Sequence, residues 1–162
     1  MQNTFAEAAR RHFELSFQML EELIAICPEE LWNRKLGGFV FWQQLLHALS
    51  GVDYWMRDAE GPFIEPFSER KLHPELDAEP EGGLTREELE AYKDKVRLAC
   101  SAYFNGKDDA WLLSCSAIYD KISNQDIVYM LMRHIQYHVG HCDGLLRDRG
   151  GKTAEWVDYF GE

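Results

Sequence analysis

Three of the chain's six histidines fall in the stretch LMRHIQYHVGHCDGLLRDRG, residues 131–150. His134, His138 and His141 are spaced by four and then three residues, and Cys142 follows at once. At about 100° per residue, Ile127, His134, His138, His141 and Leu145 lie within about 60° of one another on a helix. The imidazoles therefore share a face with apolar residues. A buried imidazole needs a partner at each ring nitrogen. A divalent metal ion meets that need, because each ring gives one nitrogen to the ion and donates its other N–H to an outer acceptor. His134 and His138, at i and i+4, have Cβ atoms roughly 6 Å apart, so two rings can grip one ion. Solvated or core histidines can show the same spacing, so the pair alone does not fix the chemistry.

His47 adds a third nitrogen. It lies in WQQLLHALSGVDYW, between apolar flanks. Taken alone it reads as a core histidine with satisfied nitrogens. In a helical bundle, a mid-helix histidine can also meet an HxxxH pair on a neighbouring helix. Three ring nitrogens would leave one or more positions open, as in catalytic rather than sealed structural sites.

Four helices are expected to position these groups. Residues 5–26 carry apolar residues at helical spacing, with Thr4 and Glu7 in a capping-box relation and Cys27-Pro28 as the stop. PEELWNRKLGG then makes a turn or a short helical stretch, with Gly37-Gly38 as a breaker. A second helix is expected from about Phe39 to Arg57, closed by Gly61-Pro62. Residues 61–84 hold four of the five prolines and form a long loop, a class that is often functional. Thr85 and Glu88 open a third helix that ends before Gly106. Residues 107–123 fit either a short helix or extended turns. Ser123 or Asn124 caps the last helix, from about Gln125 to Arg149. With no strand alternation and no internal repeat, the pattern predicts an all-α, four-helix bundle with long inter-helix loops. The loops at 61–84 and 106–123 would permit a crossover connection.

The 162 residues suit one domain, residues 1–162, with a single core. A formal net charge of -11, from 28 acids and 17 bases, opposes binding to nucleic acid and to anionic membrane surfaces. No apolar run reaches the ~18–20 residues of a membrane span. The first residues show no signal-peptide pattern. Cys27, Cys100, Cys115 and Cys142 lack CxxC spacing and read as scattered thiols of a reducing compartment, so the cytoplasm is expected.

LLHALSGVDYW together with HIQYHVGHCDGLLRDRG resembles the DinB-like superfamily, and CPEELWNRKLGG matches in style the turn before its second helix. The resemblance runs through nearly the whole chain in helix order, with the two histidine motifs as its specific part. It implies a four-helix bundle, often a homodimer, with a three-histidine site for one divalent metal ion. By position, the implied ligands are His47, His134 and His138. Zinc and nickel are the foremost ions, with iron also compatible and copper suited to imidazole as well. His141 stands where the family commonly has Gln, so it is an additional ligand, a group that supports a ligand, or a proton carrier. The resemblance further implies a small-molecule substrate. Some such proteins transfer a low-molecular-weight thiol to an electrophile, others are hydrolases or isomerases, and the family is associated with stress responses. A non-catalytic metal- or ligand-binding bundle is the alternative.

Cys142 lies four residues after His138 and could approach the ion, though its angle is displaced from the histidine face. Asp53 or Tyr54 could reach bound water, with Asp53 more readily a helix-surface acid; Tyr137 could be a hydrogen bonder and reads more readily as a packing residue. His12 and His73 read as surface residues. FVFWQQLL reads as core.

Overall fold

In the computed structural model, residues 4–57 and 62–158 are described. Gly61, the expected stop after the second helix, lies outside them. The fold is all-α apart from one small hairpin. Helix α1 spans Phe5–Ile26. Thr4 Oγ1 accepts from the Glu7 amide at 3.1 Å while the Glu7 carboxylate accepts from the Thr4 amide at 3.0 Å, so two free N–H groups are satisfied reciprocally. Pro28 ends the helix, and a short α2, Glu29–Trp32, follows. Trp32 is buried, and its indole N–H donates to the Leu84 carbonyl at 2.7 Å.

The next residues differ from the sequence expectation. Lys35–Leu36 (β1) and Phe39–Val40 (β2) pair antiparallel across Gly37-Gly38. Both glycines have positive φ, +63° and +100°, which a two-residue hairpin loop of this hand requires. Phe39 and Val40 are thus in the hairpin, and the second long helix, α3, is Phe41–Met56. Helix α4 spans Arg86–Phe104 behind the expected Thr85/Glu88 box. The ambiguous segment contains α5, Asp109–Leu113, capped by Asp108, and an isolated bridge between Cys115 and Ser123. Ser123 caps α6, Asn124–Arg147.

The four long helices form a bundle. Helix α1 packs on α6 and α4, and α3 packs on the same two, so α1 and α3 face each other across one diagonal and α4 and α6 across the other. The diagonal connections are α1 to α3 and α4 to α6. The 106–123 segment therefore does serve a crossover, whereas the loop between α3 and α4 joins neighbours. Phe13, Phe17, Leu20, Leu45, Leu49, Val96, Leu131 and Ile135 fill the core at 2% exposure or less, each contributing about 1.5–3 kcal/mol by burial. Among the described residues, no helix is long and apolar enough to cross a membrane.

Candidate metal centre

Helices α3 and α6 pack against each other and bring His47 to His134 and His138. The ring centroids are 5.0 Å apart for His47 and His134, 4.6 Å for His47 and His138, and 4.7 Å for His134 and His138. One nitrogen from each ring lies within 4.8 Å of the other two. Nitrogens around a tetrahedral ion, with bonds near 2.0–2.1 Å, stand about 3.3 Å apart, so modest ring rotations close the group.

The histidines do not occupy the middle of the buried face of α6. Leu131, Ile135 and Cys142 mark that middle, and the imidazoles sit about 60° to one side. His138 is buried, while His47 and His134 are half-buried. The group therefore borders the core and remains open to solvent on one side.

Two of the three rings have a support of their own. His47 Nδ1 lies 2.7 Å from the Pro74 carbonyl. A carbonyl only accepts, so Nδ1 carries the proton and Nε2 is left with its lone pair for an ion. His134 packs against Gly51, one turn after His47 on α3: a Cβ there would lie 2.8 Å from His134 Nε2. That Nε2 is buried with no hydrogen-bond partner among the described residues. A ring with an unsatisfied buried nitrogen, in a cluster of two further imidazoles, fits a site built for a metal ion. Burial, and then the neighbouring His47, hold the His134 pKa down at about 4. Burial followed by His47, His134 and His141 holds His138 down at about 3. Both rings are thus uncharged at pH 7, the form that binds metals.

A turn of the 62–84 loop covers the His47 side. Gln43, fully buried and one turn before His47, donates its amide N–H groups toward the carbonyls of Leu72, His73 and Ala78 at 3.3, 2.9 and 2.9 Å. Lys71, His73 and Leu76 all have left-handed φ, between 49° and 59°, a strained state for residues other than glycine. The neighbouring Gln44 donates to the Leu36 carbonyl at 3.0 Å and fixes the hairpin on α3.

The remaining candidates fall elsewhere. His141 is half-buried under the hairpin, where a Cβ on Gly37 would meet its Nε2 at 2.5 Å; it is close enough to depress the His138 pKa but is not in the three-nitrogen group. Cys142 is fully buried in the core outside that group, and burial pushes its thiol up to about 12. Asp53 is not a surface acid. It is buried and accepts from the Tyr92 hydroxyl at 2.8 Å, tying α3 to α4. Tyr54 lies on the exposed side of α3 between Trp55 and Phe63. Tyr137 is exposed, with its ring edge-on to His138 at 5.2 Å. His12 is exposed, whereas His73 is half-buried in the covering turn. The sequence reading missed Gln43, Pro74 and the two close-packed glycines. A glycine one turn after a histidine in a helical run was the readable signal for Gly51.

No curated protein and no solved structure shows a significant match to the chain. A family model described as the DinB superfamily matches residues 12–142, from the middle of α1 to the far side of the histidine pair on α6. The match includes all three clustered histidines and the loop that covers them, and the protein belongs to the DinB superfamily.

Proposed function

We propose that His47, His134 and His138 hold one divalent metal ion and that the loaded site acts on a small electrophile, by transfer of a low-molecular-weight thiol or by hydrolysis. The observation that carries this reading is the convergence of three ring nitrogens within 4.8 Å on the open flank of the bundle. Zinc and nickel are the foremost ions, and iron suits the same ligands. Such an ion supplies concentrated positive charge that makes a nearby thiol or water easier to deprotonate. The chain's part is to position and to leave access. Imidazole ligands add no negative charge, so the full charge of the ion acts on the substrate. The Pro74 carbonyl sets which nitrogen of His47 faces inward. The half-exposure of His47 and His134 admits a small molecule. The three-residue group contains no carboxylate. Thiol transfer, which requires little acid–base machinery from the protein, suits it better than hydrolysis.

Elemental analysis is the first test. The wild type is expected to carry about one ion per chain, and His47→Ala, His134→Ala and His138→Ala to carry far less; equal metal in all four defeats the reading. Turnover of a thiol with an electrophile by the loaded wild type, absent in His134→Ala, tests the chemistry. The second reading is a metal staple without catalysis, favoured by ligands coming from two adjacent helices. It predicts a large rise in melting temperature on metal addition and no change in a cobalt spectrum on adding azide or thiol. The catalytic reading predicts that the spectrum changes. The proposal includes a homodimer in the cytoplasm, which sedimentation and localisation of the tagged chain test.

A further inference from the structure

Gln43 is a fully buried polar side chain. Its amide nitrogen reaches three carbonyls of one turn, those of Leu72, His73 and Ala78. Its Oε1 is buried without a partner among the described residues. All of the amide's hydrogen bonding therefore goes to the turn. Leaving a buried acceptor unpaired is unfavourable, and the three carbonyls are what the arrangement gains in return. That turn presents the Pro74 carbonyl to His47 Nδ1 at 2.7 Å.

The turn does not adopt this shape by local preference. Lys71, His73 and Leu76 are left-handed, and His73 and Leu76 bracket Pro74. Outside, the turn is tied by ion pairs of Lys35 with Glu79 and Lys71 with Glu81, all well exposed. Exposed pairs hold a backbone weakly. The buried polar anchor is Gln43, on the same face of α3 as His47 and four residues before it.

We infer that Gln43 is a positioning residue for the metal ligand His47, acting through the 71–78 turn. The inference rests on the three-histidine reading given above. A carbonyl on the outer nitrogen of a ligating histidine fixes its tautomer and strengthens its inner nitrogen as a donor, and losing such a partner costs about 10–100-fold in metal affinity. The coupling is reciprocal. An ion on His47 Nε2 makes Nδ1–H a stronger donor to Pro74, so metal uptake tightens the turn.

Two measurements test this. Zinc binding is compared by chelator competition in wild type, Gln43→Met, which keeps the side-chain bulk, and Gln43→Glu, which turns acceptors toward the three carbonyls. Leu72, fully buried, still anchors the turn apolarly in both variants. Both are expected to bind zinc at least tenfold more weakly than wild type. Hydrogen exchange is followed at the Leu76 amide, which donates to His73 within the turn, and at the Glu81 amide, which closes it on Lys71. Zinc is expected to slow exchange there at least tenfold in wild type and to have little effect in the variants. Variant affinities within twofold of wild type, or no zinc-dependent protection in wild type, overturn the inference even where zinc binds. Failure of the wild type to take up zinc, nickel or iron overturns the three-histidine reading itself, and this inference with it.

Discussion

Gly51→Ala separates the stability of the bundle from the fitness of the proposed metal site. Alanine is favoured over glycine inside a helix by about 0.8–1 kcal/mol, so backbone propensity alone predicts a more stable protein. The added Cβ, however, would stand 2.8 Å from His134 Nε2 and 3.4 Å from Cδ2 and Cε1. Carbon makes comfortable contacts at about 3.5–4.0 Å, so the ring tip must retreat by about 0.7 Å or more. His134 is half-buried, and its ring tip can move outward without opening the core. For the fold that movement is inexpensive. For a metal ligand it is severe, because bond lengths are held to about ±0.2 Å. The expected result has two parts. Metal-stripped Gly51→Ala melts no lower than wild type, and up to about 4 °C higher. Its metal affinity is at least tenfold weaker, which is about 1.4 kcal/mol. Scanning calorimetry of stripped protein and competition with a chromophoric chelator measure the two. A variant that binds metal within twofold of wild type, with the whole penalty in apo stability, refutes the argument that Gly51 exists to seat His134.

Three more outcomes follow from the same geometry. The folded-state pKa values of His134 and His138, about 4 and 3, lie below the ordinary value of 6.5. The unfolded chain therefore binds protons first: stability of stripped protein is intact above about pH 6.5 and falls below it, by up to about 1.4 kcal/mol per pH unit for each ring, until the folded-state values are reached. Urea midpoints at pH 7.5 and 5.0 check this, and a flat or rising profile toward acid contradicts it. Gly37→Ala meets both a φ of +63° and His141 Nε2 at 2.5 Å, and is expected to destabilise by about 1–3 kcal/mol in urea. A Gly37→Ala loss of only about 1 kcal/mol, the cost of the left-handed backbone alone, would show that the His141 contact is immaterial. Tyr92→Phe removes the donor to buried Asp53 and should cost about 1–3 kcal/mol, whereas unchanged unfolding would mean that water replaces the hydroxyl.

The parts of the structure that depend on near neighbours in sequence were legible. Thr4 with Glu7 and Thr85 with Glu88 announce helix starts because a capping box is completed within four residues. His134 and His138 read as a pair because helical spacing alone brings their side chains together. The parts that depend on distant segments were not. Nothing local distinguishes Gln43 from a surface glutamine; its meaning comes from carbonyls some thirty residues on. Asp53 read as exposed because its partner, Tyr92, lies on another helix. Phe39 and Val40 have the composition of a helix start, but the positive φ angles of Gly37 and Gly38 turn them back onto Lys35 and Leu36. Helical angle places the histidines on an apolar face with Ile127 and Leu145, but only packing shows that the middle of the buried face follows Leu131, Ile135 and Cys142.

That sideways placement bears on how such a protein can change over generations. The residues that keep the bundle folded and the residues that would do its chemistry are adjacent but largely separate sets. Exchanging His134 leaves Leu131 and Ile135 untouched, and changes in the turn at residues 73–78 or in the hairpin alter the surroundings of the site while Phe67 and Arg70, earlier in the loop, keep their contacts with Tyr92 and Glu88 of α4. The ligand set and the fit of a substrate at the proposed site are then open to substitution one position at a time, on a scaffold whose core residues lie beside it.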